Sequence, residues 1–156
     1  MHRRSLLALA GAACAAPRAF ANHGWSIYDT ARPLYIEGPV TTILWADPHP
    51  HLELLHRPGY ALPADLAHRR MPAQREAADL EGMLRAATVP LTPEGHWRVE
   101  LPELNRLVAW DVKRPRIDTR LGVLGYPGPP VTGTPTLRAE VLFIGDRAYP
   151  LRSSPP

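Results

Sequence analysis

Cysteine is almost absent from this chain of 156 residues, in which Cys14 is the only one. Cys14 lies in an N-terminal segment that we expect to be removed on export, so the remaining chain can form neither a disulfide framework nor a thiolate metal site. Long apolar runs are also absent. The longest, Ser5 to Ala16, has about a dozen residues, against the roughly 20 of a membrane-spanning helix. The sequence therefore predicts no stable membrane insertion.

A large excess of charge of one sign is missing as well. The chain has 18 Lys and Arg against 15 Asp and Glu, and Arg3, Arg4 and Arg18 precede the expected cleavage site, which leaves 15 of each sign. A nearly neutral domain lacks the basic footprint of a protein that binds nucleic acid. We expect no nucleic-acid partner.

Motifs of the common enzyme classes are absent too. The chain has no Gly-x-Ser-x-Gly, no phosphate-binding glycine loop and no His-Glu-x-x-His. Glu37, Asp47 and Glu53 could form a carboxylate set, but their spacing is equally that of solvent-facing strand residues. The sequence predicts a protein that is not an enzyme.

The first 21 residues have the three-part layout of a bacterial export signal. Met1–Arg4 is basic, Ser5–Ala16 is apolar, and Ala19-Phe20-Ala21 is a small-x-small cleavage site. The paired arginines are typical of twin-arginine signals but also occur in ordinary secretory ones, so both export routes stay open. We expect cleavage after Ala21 and a periplasmic protein that begins at Asn22.

Residues 22–152 are predicted to form one mainly β domain, because short apolar segments bounded by Pro and Gly dominate. A helical insertion covers about 63–95, and the tail 153–156 is predicted to be disordered. The predicted strands cover 33–45 with a bend at Gly38-Pro39, 52–56, 97–101, 120–126, 137–144 and 147–151. The predicted helices cover 65–69, 74–87 and 104–110.

This pattern fits a small antiparallel barrel of the five-strand Greek-key type, similar to the oligonucleotide/oligosaccharide-binding (OB) fold. Closure of a barrel also removes exposed strand edges. A β-sandwich is the alternative.

The most distinctive motif is Asp47-Pro48-His49-Pro50-His51, which joins the first two predicted strands. Its prolines favour an extended chain, in which His49 and His51 point to one side about 6.5–7 Å apart at Cα. His23 would add a third imidazole, and Asp47 would be either an oxygen ligand or a hydrogen-bond partner of a ligating histidine. This set suits copper or another divalent transition metal. The alternative is a hydrogen-bonding corner with no metal.

Two further predictions concern the other rings. Trp25, Trp45 and Tyr28 could line a groove for an envelope ligand or protein, although core packing accounts for most aromatic residues. Three further histidines are predicted to be solvated: His56, His68 and His96.

Several motifs together resemble a family of small exported bacterial proteins that is a domain of unknown function. They are His23-Gly24-Trp25, Ile36-Glu37-Gly38-Pro39-Val40, Trp45-Ala46-Asp47-Pro48-His49, Trp97-Arg98-Val99-Glu100-Leu101, Gly125-Tyr126-Pro127 and Leu137-Arg138-Ala139-Glu140. The family's mature chains begin with His-His-x-aromatic and carry an Asn-Pro-His motif. The resemblance implies a small periplasmic barrel and no particular activity. This chain departs from the pattern at Asn22, at Asp47 and in the insertion.

Overall fold

The computed structural model describes residues 26–156. Its elements are six strands, one 3₁₀ turn and two short α-helices. In chain order they are β1 (Leu34–Leu44), β2 (His51–His56), the 3₁₀ turn (Leu66–His68), α1 (Leu80–Ala86), β3 (Gly95–Glu100), α2 (Leu104–Ala109), β4 (Arg120–Val131), β5 (Thr134–Ile144) and β6 (Arg147–Pro150). Neither helix within residues 26–156 has the length and apolar character needed to cross a membrane.

The strands form one sheet in the order β3-β2-β1-β4-β5-β6. The first three follow one another antiparallel, and β4 returns to lie beside β1, which is a Greek key. A parallel pairing of β3 with β5 closes five strands into a mixed barrel, and β6 adds to β5 outside the closure. The prediction of a small β-barrel is confirmed, and the sandwich alternative is not the architecture that forms.

The bend predicted at Gly38-Pro39 is the corner at which β1 changes partner. Leu34–Pro39 pair with β4, whereas β1 pairs with β2 from Val40 onward. A Cβ on Gly38 would lie 2.2 Å from the carbonyl oxygen of Leu55, so only glycine permits this approach. The corner carries the chain directly toward the histidine motif.

The barrel interior is filled by the alternating apolar residues of the strands. Leu52 and Leu54 of β2 face inward beside Trp97 and Val99 of β3, as the period-2 pattern predicts. The polar residues between them therefore lie on the outer face, where each residue of β2 faces its cross-strand partner on β3.

A second hydrophobic core lies between the barrel and the insertion. The barrel contributes Tyr35, Leu124, Val141 and Phe143, and the insertion covers them with Leu66, Leu80, Met83 and Leu84. The insertion is therefore packed onto the outer face of β1, β4 and β5.

The predicted helix over 74–87 forms only from Leu80 to Ala86. Asp79 caps it by accepting a hydrogen bond from the Gly82 N–H at 2.8 Å. Upstream, the N–H groups of Arg75 and Glu76 donate to the backbone and side chain of the C-terminal tail. These donors have tertiary partners, so the helix begins later than its composition predicts.

The tail also differs from the prediction of disorder over 153–156. Ser153 is buried, and its N–H donates to the Gln74 side chain at 3.0 Å. Its carbonyl oxygen accepts from the Trp110 indole N–H at 2.7 Å. Contacts with residues far away in sequence order this segment, and its composition gives no sign of them.

Candidate functional site

The histidine motif forms a turn and does not stay extended as predicted. The chain turns at Asp47 and Pro48, whose peptide bond is cis, and His49 is exposed where the turn ends. The carbonyl oxygen of Pro50 accepts from the Leu101 N–H at 3.0 Å, which fixes the start of β2 against the end of β3. The motif is thus a firmly bonded corner of the barrel.

Asp47 has a structural role in this corner. Its Oδ1 accepts the N–H of Leu104, the first residue of α2, at 2.9 Å. Glu103 occupies the N-cap position but makes no side-chain cap bond, so Asp47 supplies the cap from a distant part of the chain. This carboxylate is therefore directed toward α2.

His51 is half-buried and has a defined hydrogen bond. Its Nδ1 lies 3.1 Å from the carbonyl oxygen of His49, which can only accept. A neutral imidazole in this geometry carries its proton on Nδ1 and leaves the Nε2 lone pair available. Metal-binding histidines use the same arrangement, because a backbone carbonyl that holds one ring nitrogen orients the other.

The cross-strand partner of His51 is Glu100 of β3. Its carboxylate accepts a short hydrogen bond from the Tyr28 hydroxyl, and the Arg138 guanidinium lies over the Tyr28 ring at 5.6 Å. Burial, together with the bond to Glu100, raises the pKa of Tyr28 to about 12. We call the surface formed by His51, Glu100 and Tyr28 the His51 face.

Tyr28 fixes the start of the described chain on the barrel. Its ring lies against the backbone of Gly128, where an added Cβ would come within 2.7 Å, and the next N–H, of Asp29, donates to Pro127 at 2.9 Å. His23 lies outside the described residues. It precedes Tyr28 by five residues, a span of at most about 17 Å.

Among residues 26–156, no group of three or more His, Cys, Asp or Glu side chains could hold a metal ion. Asp47, His49 and His51 thus make no three-donor site by themselves, and Asp47 is directed to α2. The predicted metal set stays a prediction that depends on His23.

The structure describes two of the three residues of the predicted aromatic groove. Trp45 is half-buried and packs against the barrel core. Tyr28 lies on Gly128 under Arg138, and Trp25 lies outside the described residues. Both described residues are partly exposed, and the groove stays a prediction that depends on Trp25.

His56 corrects the prediction of a solvated ring. It is fully buried at the end of β2, with ring centroids 5.5 Å from Tyr60 and 6.4 Å from Trp97. Within the described chain neither ring nitrogen has a hydrogen-bond partner. The alternation Leu52, Leu54, His56 places all three on the inward face, so the period-2 pattern could have revealed this burial.

Glu140 is a second buried titratable residue that the sequence did not reveal. Its Oε2 accepts from Arg152 Nε at 2.7 Å, and its Oε1 has no partner among residues 26–156. Burial raises the pKa of Glu140, and Arg152 opposes that shift. Glu140 occupies the bulge of β5, where the register with β4 shifts, and only the folded strand pairing reveals this position.

The part of the chain that carries the histidine motif can be compared with known families. Residues 10–61 match the model of a family of unknown function (DUF6152). The match covers His23, Asp47, His49 and His51 and confirms the resemblance to a family of unknown function. No curated protein and no solved structure matches the chain. The family has no assigned activity.

Proposed function

We propose that this protein is a non-catalytic periplasmic domain that binds one divalent transition-metal ion, Cu(II) foremost, at the His51 face. The observation that carries the proposal is the hydrogen bond from Tyr28 to Glu100. It ties the segment that follows His23 to the strand opposite His51. The export-signal layout of residues 1–21 supports the periplasmic location.

The donors are nitrogen atoms, which suit Cu(II). His51 offers Nε2, His49 offers an exposed imidazole two residues earlier, and His23 offers the third. After cleavage at Ala21 the α-amine of Asn22 can chelate together with the His23 ring. Glu100 places a negative charge beside the bound cation without being required as a ligand. Asp47 is not a ligand in this proposal, because its carboxylate caps α2.

A second candidate function is a binding module in which the histidines are structural. The bonds of Asp47 to Leu104 and of His51 to the His49 carbonyl favour it, since they account for the motif without a metal. The Greek-key order and the parallel closing pair support an OB-like barrel, and OB-folds bind ligands on the face of their second and third strands. In this protein that face carries His51 and Glu100.

Paramagnetic broadening by Cu(II) locates the ion and separates the two candidates. In ¹⁵N-labelled protein that begins at Asn22, substoichiometric Cu(II) should broaden the amide signals of His51, Glu100 and residues 23–28. The amide of Gly145, in the turn after β5, should stay sharp. Broadening confined to residues 22–25 would show a flexible N-terminal chelate and contradict the proposal. Broadening centred on the exposed His68 would contradict it as well.

A further inference from the structure

A cleft of about 720 Å³ lies beside the turn between β5 and β6. This volume is within the range of small-molecule sites, roughly 300–1,000 Å³. Its wall is formed by three arginines, three aromatic residues and two aspartates: Arg69, Arg70, Arg147, Trp110, Phe143, Tyr149, Asp65 and Asp146. We call it the arginine cleft. Six residues of β5, 139–144, separate its turn from Arg138, which lies over the Tyr28 ring of the His51 face, a distance on the order of 20 Å.

Two of the three guanidinium groups rest on aromatic rings. The Arg69 guanidinium lies 4.9 Å from the centroid of Phe143, and that of Arg147 lies 5.1 Å from the centroid of Tyr149. Stacking fixes the plane of a guanidinium and leaves the N–H donors at its edge available for a bidentate acceptor. The rings are anchored because both Phe143 and Tyr149 are buried.

The wall of the cleft carries a net positive charge, because it holds three arginines and two aspartates. Asp65 accepts two hydrogen bonds from Arg69, at 2.9 and 3.3 Å, and so balances that group. Arg70 and Arg147 form no ion pair with an acidic residue of the described chain. Asp146 is the remaining acid in the wall. Asp111, outside it, is paired with Lys113 and also interacts electrostatically with Arg147, so the three arginines face two acids in the wall and part of a third.

Trp110 adds a fixed flat surface to the same cleft. Its indole N–H donates to the Ser153 carbonyl oxygen at 2.7 Å, so the ring is held from its far side while the residue remains partly exposed. An aromatic surface beside free guanidinium groups suits a ligand that combines an apolar ring with an anionic group.

We propose that the arginine cleft is a second binding site, which takes a small soluble ligand with one phosphate or carboxylate on a ring. Arg70 and Arg147 bind the anionic group, and the ring packs on Trp110. The concave shape favours a small molecule over a flat macromolecular surface. This site is independent of the metal ion at the His51 face.

Phenyl phosphate is the probe, and the indole N–H resonance of Trp110 is the reporter, in ¹⁵N-labelled protein that begins at Asn22. We expect a saturable shift with phenyl phosphate, none with phenol at the same concentration, and weaker binding as NaCl rises. Arg70→Gln and Arg147→Gln should each raise Kd about tenfold. Arg57→Gln changes an exposed arginine that lies outside the cleft, 3.8 Å from Glu94, and should leave Kd unchanged.

Amide spectra of each variant establish that it is folded before its Kd is compared. No shift of the indole signal at 10 mM phenyl phosphate would overturn the proposal. An equal rise of Kd in Arg57→Gln would also overturn it, because binding would then follow net charge alone. A phenol shift as large as that of phenyl phosphate would show that the anionic group is not recognised.

Discussion

Acidification below pH 6.5 should destabilise this domain through a single residue, His56. The ring is fully buried, and neither of its nitrogens makes a hydrogen bond of normal geometry within the described chain. Desolvation disfavours the charged imidazolium and lowers the pKa of His56 below its ordinary 6.5, while the backbone of Thr92 opposes this shift in part. In the unfolded chain the same ring takes up its proton near pH 6.5.

The sign of the effect follows from these two states. Above pH 6.5 the ring is neutral whether the chain is folded or not, so its contribution to stability is fully present. Below pH 6.5 the unfolded state binds the proton first, and the free energy of unfolding falls with a slope that approaches about 1.4 kcal/mol per pH unit. The loss continues until the pH reaches the lowered pKa of the folded state.

Urea denaturation monitored by tryptophan fluorescence measures this slope. Between pH 7.5 and 5 the wild type should lose stability, and His56→Phe, which keeps an aromatic ring beside Tyr60 and Trp97, should lose distinctly less. Burial raises the pKa of Glu140, so protonation of this residue increases the free energy of unfolding as the pH falls. Glu140 is present in both proteins, so its contribution cancels in the difference between wild type and His56→Phe. His68→Phe, at an exposed position, should retain the wild-type slope. An identical slope in wild type and His56→Phe would show that His56 does not cause the loss of stability.

Three further predictions test other parts of the structure. Asp47→Ala should lower the free energy of unfolding by about 1 kcal/mol through loss of the α2 cap, whereas Asp47→Asn, which keeps an acceptor, should lie within a few tenths of wild type in urea titrations. Leu84→Ala should cost about 2–5 kcal/mol because the second core is tightly packed, and the same change at Leu91, which is 98% exposed, should cost almost nothing by thermal unfolding. Tyr28→Phe should weaken Cu(II) binding severalfold in competition titrations while Glu100 remains in place; unchanged affinity would separate that hydrogen bond from the metal site.

Much of the barrel could be predicted because the alternation of apolar and polar residues in its strands indicates which side chains are buried. The alternation in β2 and β3 is a local pattern, and Gly38-Pro39 is a local signal for a break in β1; the structure confirms both. The reason that glycine is required at Gly38, the approach of the Leu55 carbonyl, is not local. The composition could not show that the helix predicted over 74–87 starts only at Leu80. The residues before this start bond instead to the tail around Ser153, which is distant in sequence.

The candidate site was predictable in its residue types but not in its pairings. The motif itself draws attention to His49 and His51. The partner of Asp47 lies 57 residues away at Leu104, and the partner of His51 across the sheet is Glu100. Such pairings arise only when the barrel closes, and they turn a predicted ligand, Asp47, into a helix cap.

Titration calorimetry of Cu(II) into protein with an authentic Asn22 start tests the metal proposal most directly. We predict a 1:1 complex whose affinity falls as the solution is acidified, because protons compete with the metal for the imidazole nitrogens. Removal of a donor by His23→Ala, His49→Ala or His51→Ala should weaken binding at least tenfold, and His68→Ala should leave it unchanged. No heat above that of buffer, or an equal loss in His68→Ala, would contradict the metal site and leave these histidines as corner residues of a binding module.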